Sequence, residues 1–210
     1  MKILITGANG LLGHELSSVL KDHSLILFSH SQLDISDIDS VNKQIDSTSP
    51  DIIINSAAYT QVDNCETNYD LAFKSNAIGP KNLAIKCKQL DIPLIHISTD
   101  YVFEGNESKS PLVEDDKLGP KTIYGKTKLE GEKFVKENCD KYFILRTAWL
   151  YGEGKNFVKT MVNLSKKNKE LKVVNDQIGS PTYAKDLANA IKEIIEKKQN
   201  SLQNRRAIIK

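Results

Sequence analysis

No run of apolar residues in this chain is long enough to span a bilayer, which excludes a membrane-crossing helix. The opening run Ile3, Leu4 and Ile5 is also too short for the apolar segment of a secretory signal. A cytoplasmic protein with no membrane partner is therefore expected. Cysteine is scarce: Cys65, Cys87 and Cys139 are widely spaced, with no Cys-x-x-Cys pair. That pattern argues against a disulfide framework or a zinc site and fits a reducing compartment. An excess of one charge is missing as well, since 29 Lys and Arg stand against 27 Asp and Glu for a net +2. Nothing in that balance calls for nucleic acid or an acidic lipid surface. Internal repeats and low-complexity tracts are absent, and Trp149 is the single tryptophan. What remains is 40% hydrophobic residues in 210, enough for one core, with one domain or one domain and a small lobe.

Five short apolar runs punctuate the chain, at 3–5, 25–28, 50–55, 94–97 and 142–145. Each reads as a strand buried on both faces. Between them lie segments with helical spacing. One carries Leu12, Leu16 and Leu20; one opens at Asp34 and Ile35, with Asp37 and Asp39 favouring its N-terminus. A third holds Leu71, Ala72, Ala77, Leu83 and Ala84, and a fourth surrounds Tyr124. Further on, 156–167 reads as a helix, 171–174 as a short strand and 183–198 as a last helix. Alternation of this kind predicts an α/β, Rossmann-like, doubly wound parallel sheet with helices on both faces. Residues 104–120 are rich in Gly, Pro and acids and read as a surface loop able to cover a substrate. Residues 199–210 read as a frayed polar tail.

Three glycines at intervals of three, Gly7, Gly10 and Gly13, follow the first strand and open the first helix, with Asn9, Leu11 and Leu12 among them. The first would make the turn, the second admit a pyrophosphate and the third let helix pack on strand, with the helix N-terminus facing the phosphates. The spacing differs from the Gly-x-Gly-x-x-Gly of most dehydrogenases. After the second strand come Ser29, His30 and Ser31, with no acid until Asp34. Small hydroxyls and a His suit a ribose phosphate, so the reading leans to NADPH over NADH. Asp34 and Ile35 would lie under an adenine, or Asp34 is a turn acid. Ala57, Ala58 and Tyr59 at the end of the third strand leave room for a flat ligand, and Asn76 in the following helix is grouped with them. Thr99 ends the fourth strand, where its hydroxyl would meet a reacting oxygen or simply cap a turn. Tyr124 and Lys128 are one helical turn apart on one face. A lysine beside a phenol favours the phenolate, so the Tyr124 pKa is expected to fall. Such a tyrosine exchanges a proton with a carbonyl or hydroxyl.

Taken in order, Thr6, Gly7, Gly10 and Gly13; Asn55 to Thr60 with Val62, Asp63 and Glu66; Ser98 to Phe103; Tyr124 and Lys128; Arg146 to Tyr151; and Asn175, Asp176 and Gln177 resemble the dTDP-4-dehydrorhamnose reductase family of extended short-chain dehydrogenases/reductases. The resemblance runs from residue 1 to about 190. It implies reduction of the 4-keto group of a dTDP-linked 6-deoxyhexulose with NADPH or NADH, giving dTDP-L-rhamnose for cell-surface polysaccharide. It gives Tyr124 the role of proton donor, and Lys128 that of lowering its pKa and binding the nicotinamide ribose. Thr99 would hydrogen-bond the carbonyl oxygen, and Asp100 and Tyr101 would line the sugar pocket. Trp149 would wall the sugar or else join the core. Asn175 and Gln177 would offer amides to sugar or base. A homodimer is a compatible assembly. Glu15 fits a metal-binding pattern of some members, but Lys185 occupies the matching position, so no metal is expected. Members usually continue further, which divides the chain into a 1–150 NAD(P)-binding domain, a 151–198 partial substrate-binding lobe and a 199–210 tail, with turnover expected to suffer. A nucleotide-sugar epimerase or dehydratase shares the fold and the Tyr/Lys pair. A non-catalytic subunit similar to the regulatory subunit of methionine adenosyltransferase is the alternative from another class.

Overall fold

The computed structural model describes residues 1–103, 111–154, 156–197 and, through their backbone, 205–208. The chain begins β1 (Lys2–Thr6), α1 (Leu11–Val19), β2 (Ser24–Phe28), α2 (Ile38–Thr48) and β3 (Ile52–Asn55). Short helices α3 (Val62–Thr67) and α4 (Tyr69–Phe73) lead through a π-helical turn (Lys74–Ile78) into α5 (Gly79–Gln89). Then come β4 (Leu94–Thr99), a 3-10 turn (Asp100–Val102), α6 (Ile123–Asn138), β5 (Tyr142–Thr147) and β6 (Leu150–Tyr151). The chain continues through α7 (Phe157–Ser165), β7 (Thr182–Tyr183), α8 (Ala184–Lys197) and β8 (Arg205–Ile208).

The main sheet has the order β2-β1-β3-β4-β5-β8, and every neighbouring pair is parallel. β1, β3, β4 and β5 are largely buried, as their unbroken apolar runs predict; β2, expected to be buried on both faces, is partly exposed, with Leu27 41% accessible. Ile3, Ile5, Ile52, Ile54, Ile95 and Leu145 face one layer, where Leu12 and Leu16 of α1 meet Leu187, Ala188, Ile191 and Ile195 of α8. Leu4, Ile53, Leu94 and Ile144 face the other, where α2, α5 and α6 contribute Val41, Ile45, Leu83, Ala84 and Val135. Each fully buried Leu or Ile contributes roughly 1.5–3 kcal/mol of transfer free energy.

Several elements differ from expectation. The sequence reading puts the last helix in a partial substrate lobe; α8 packs against α1 in the layer that also covers the sheet. The 199–210 tail includes β8, paired with β5 in register from Phe143↔Arg205 to Arg146↔Ile208; residues 198–204, 209 and 210 lie outside the described residues. The stretch 171–174 forms no strand and is exposed throughout. A parallel pair, β6 with β7, stands where no strands were expected. Of the 104–120 loop, 104–110 lie outside the described residues; its base is closed by a bridge between Phe103 and Leu118 and a Gly119 N–H donated to the Val102 carbonyl at 3.1 Å. The helix expected from Asp34 begins at Ile38, because Asp37 caps it by accepting from the Asp39 N–H.

Candidate active site

The C-terminal ends of β1, β3 and β4 form one edge of the sheet. Gly7 has φ 66°, and a Cβ there would stand 2.8 Å from the Ala57 backbone. A Cβ on Gly13 would stand 2.5 Å from the Gly7 carbonyl oxygen. These positions therefore admit glycine and little else. Gly10 caps α1 without any side chain, and no acid lies in the first turn. The first N–H groups of α1 are left without intrahelical acceptors, beside a concave glycine backbone. That cradle fits a pyrophosphate, so the residues present suit a dinucleotide. Asn9 is exposed beside it and Leu12 is buried beneath it.

Around the cradle, the Ser29 hydroxyl donates to Gln32 Oε1 at 2.8 Å, and His30 is exposed. Asp34 is a turn acid: its Oδ1 accepts from the Ser36 N–H and hydroxyl at 2.9 and 2.8 Å. Ile35 is buried against Gly79 rather than presented openly. The Ala57 N–H points to Asn55 Oδ1 at 3.2 Å, and Ala58 follows half-buried. Asn76 departs from expectation. It is buried, its amide bonds both the N–H and the carbonyl of Tyr59 at 2.8 and 3.1 Å, and it donates to Thr127 Oγ1 at 3.2 Å. It fixes the Tyr59 loop to α6 and has no free amide for a ligand.

Thr122 caps α6 by accepting from the Gly125 N–H, which sets Tyr124 in the first turn. Tyr124 thereby stands beside the end of β4, where Thr99 and Tyr101 lie. Thr99 accepts from the Tyr101 N–H at 3.3 Å and donates to Asp100 Oδ1 at 3.0 Å, so it caps the 3-10 turn. The Tyr101 and Tyr124 rings meet edge to face at 5.6 Å. Lys128 is buried, and its Nζ donates to the Ile97 carbonyl at 2.6 Å. The expected fall of the Tyr124 pKa is not observed. Loss of hydration raises it well above the usual phenol value, and the nearby Thr99 hydroxyl offsets this in part. The reason is that the Lys128 ammonium is turned to Ile97; burial itself pushes that ammonium down to about 8. Burial likewise raises the Asp100 carboxyl, and raises Tyr101 with help from Asp100 and Asp63.

On the outer side, Trp149 has φ 46° and is 43% exposed, so it is not a core residue. A Cβ on Gly179 would lie 3.0 Å from its ring, which brings the 171–181 stretch against it. Asn175 and Gln177 are exposed in that stretch, and among the described residues no hydrogen bond joins them to Thr99, Tyr124 or Lys128. No group of three metal-ligating side chains occurs among the described residues.

Three supports were missed from sequence. Glu66 of α3 accepts from the Ile123 N–H at 2.8 Å and so caps α6 from outside. Thr6, Asn55 and His96 form a buried chain across β1, β3 and β4, with Thr6 donating to Asn55 at 2.7 Å and the Asn55 amide meeting His96 Nδ1 at 3.1 Å. Burial, then the Lys128 charge, holds His96 neutral. Glu132 and Arg146 form a buried ion pair. For Thr6, Asn55 and Arg146 the available signal was a polar residue at the carboxyl end of an apolar run; Glu66, His96 and Glu132 carry no such mark.

A parallel order 2-1-3-4-5, with the phenol and lysine on the helix that leaves β4 for β5, is the arrangement of the short-chain dehydrogenases/reductases, and this chain is of the extended class. More narrowly, it belongs to the family described as the RmlD substrate binding domain, whose model matches residues 1–207; this is the NAD(P)-dependent family of the dTDP-4-dehydrorhamnose reductases. It is 46% identical over 193 residues to the spore coat polysaccharide biosynthesis protein SpsK of Bacillus subtilis, covering 90% of this chain and 68% of that one. A solved dTDP-4-dehydrorhamnose reductase from Clostridium acetobutylicum is 51% identical, with TM-score 0.93, over 100% of this chain and 75% of its own. Another, from Bacillus anthracis in complex with NADP, is 43% identical, with TM-score 0.91, over 99% of this chain and 74% of its own. The chain thus spans 60% to 68% of the first curated relatives it matches.

Proposed function

We propose that this chain carries the cofactor site and the proton-transfer residues of a reductase acting on the 4-keto group of a dTDP-linked 6-deoxyhexulose, with dTDP-L-rhamnose as the product. The observation that carries this reading is the convergence of Thr99 at the end of β4, Tyr124 in the first turn of α6 and buried Lys128, held to the Ile97 carbonyl of β4, at the sheet edge that also holds the glycine cradle. When bound, a reduced nicotinamide cofactor supplies hydride for the keto carbon. The chain's own residues do the rest. The α1 N-terminus, with Gly7, Asn9, Gly10, Leu11, Leu12 and Gly13, holds the pyrophosphate by N–H donation. Ser29 and His30 face the adenine ribose; Asp34 is occupied by Ser36, so a ribose phosphate meets no free carboxylate there, which favours NADPH over NADH. Ala57, Ala58 and Tyr59 line the crevice. Thr99 turns its hydroxyl proton from Asp100 to the keto oxygen, and Tyr124 gives that oxygen its proton as the C=O becomes CH–OH. A phenol held protonated by its surroundings is the form such a step needs. Lys128 donates to the ribose and returns charge to the site. Asp100, Tyr101, Trp149, Asn175 and Gln177 contact the sugar nucleotide.

Purified chain mixed with NADPH and dTDP-4-keto-6-deoxy-L-lyxo-hexulose tests this. Loss of reduced-nicotinamide absorbance and formation of dTDP-L-rhamnose are expected. Tyr124→Phe should slow turnover by about 10²–10⁴-fold, the usual contribution of a positioned proton donor, while NADPH titrates as before. Turnover in Tyr124→Phe at the parent rate would overturn the assignment.

A further inference from the structure

The end of β5 carries a buried ion pair that the proton transfer itself does not use. Arg146 and Glu132 are 3% and 0% exposed. The guanidinium grips the carboxylate as a fork, Nε to Oε1 at 2.8 Å and Nη2 to Oε2 at 2.7 Å. Its Nη1 donates to the Glu114 carbonyl at 3.0 Å, and its carbon stands 4.9 Å over the Phe103 ring. Four pieces of chain therefore converge on one side chain: β5, α6, the residue that follows the 3-10 turn, and the 111–118 arm. As a stabilising device such a pair is weak, because well-packed apolar residues of similar volume commonly do as well. Its distinctive property is fixed geometry, since the planar fork satisfies a carboxylate, a carbonyl and a ring face in set directions.

We propose that Arg146, held by Glu132, is a positioning residue that sets the sugar-side wall against the helix bearing Tyr124. The wall comprises the 3-10 turn with Asp100 and Tyr101, Phe103 behind it, and the 111–118 arm. Glu132 lies one turn beyond Lys128 on the same face of α6, so the fork ties the arm to the helix that carries both Tyr124 and Lys128. The glycine cradle at β1 and α1 shares no hydrogen bond with the fork and is left untouched. The kinetic consequence rests on the reductase reading; the structural one does not.

The test is Arg146→Lys, which keeps the charge and loses the fork. Hydrogen–deuterium exchange should quicken about tenfold over 111–119, where the Val113, Asp116 and Gly119 amides are hydrogen-bonded, with α1 unchanged. The KM for the sugar nucleotide should rise about tenfold, with kcat and NADPH affinity within about twofold of the parent chain. Unchanged exchange over 111–119, or a parallel loss of kcat and NADPH affinity with KM unmoved, overturns the proposal. If the parent chain turns over no keto-sugar, the reductase reading fails and the exchange pattern alone decides. If Arg146→Lys does not fold, Glu132→Asp, which retracts the carboxylate by one methylene, should show the same pattern; its absence there is equally decisive.

Discussion

Lys128 is a lysine kept where the folded protein resists its charge. Its ammonium is buried at 2.6 Å from the Ile97 carbonyl, and burial lowers its pKa from 10.5 to about 8, with Glu132 pulling the other way. The folded pKa lies below the unfolded one. Below pH 8 both states hold the proton and the full penalty is present; between about 8 and 10.5 the folded chain has released a proton that the unfolded chain still binds, so stability rises with pH across that window. Lys128→Met removes the penalty and loses one hydrogen bond. It should stabilise the chain by about 2 kcal/mol at neutral pH and abolish turnover, with the gain shrinking as pH approaches 10.5. Urea unfolding at the two pH values checks this, and a Met variant that is less stable at both would refute it. Stability given up at one buried residue is what a functional position shows. The sequence identified the Tyr124 and Lys128 pair and its shared face. It could not show that the ammonium turns to a backbone carbonyl on β4, because that acceptor carries no sequence mark.

Among the elements, α6 matters most to the chemistry, and its first turn is held from two sides. Thr122 accepts from the Gly125 N–H, and Glu66, reaching across from α3, accepts from the Ile123 N–H at 2.8 Å. A carboxylate at a helix N-terminus also gains from the helix dipole. Glu66→Ala should cost about 1 kcal/mol of stability and lower kcat severalfold, because Tyr124 is the second residue of the helix. NADPH affinity should hold, because its cradle is on α1. Glu66→Gln keeps an acceptor and should recover part of both losses in urea titration and turnover assays; an Ala variant with unchanged stability would show the cap to be idle. The helices α1 and α6 and the buried strands β1, β3, β4 and β5 were legible because a doubly covered parallel strand needs an unbroken apolar run. The β6–β7 pair was not, since two-residue strands have no period to read. The stretch around Val173 and Val174 has the composition of a strand, yet these residues are 52% and 68% exposed and meet no partner strand among the described residues. The helix expected around Leu71 to Ala84 runs through α4, a π-helical turn and α5 with helical backbone at each junction, and only the π turn and the short α3 ahead of it were not legible from the spacing.

At the scale of the whole molecule, the chain has two unlike parts that its order does not separate. The sheet with α1, α2, α5, α6 and α8 forms two dense layers. Periodicity located the apolar face of α8, Leu187, Ile191 and Ile195, but a face does not name its partner, which is the core layer around α1. The remainder, α7 and the 171–181 stretch, presents Phe157, Val158, Val162, Val174 and Ile178 to solvent, with Ile178 fully exposed. Apolar surface gathered this way invites association. Because none of these residues is buried, replacing them should barely move the stability of the folded chain, within about 0.5 kcal/mol. The triple variant Val158→Lys, Val162→Lys and Val174→Lys should therefore melt as the parent does, bind NADPH equally, and bind an apolar fluorescent dye several times less. Light scattering should show less self-association across a concentration series. A melting temperature lowered by many degrees would mean that this face is covered in the folded state, and the exposed surface would then have to be read as an interface rather than as a wall facing water.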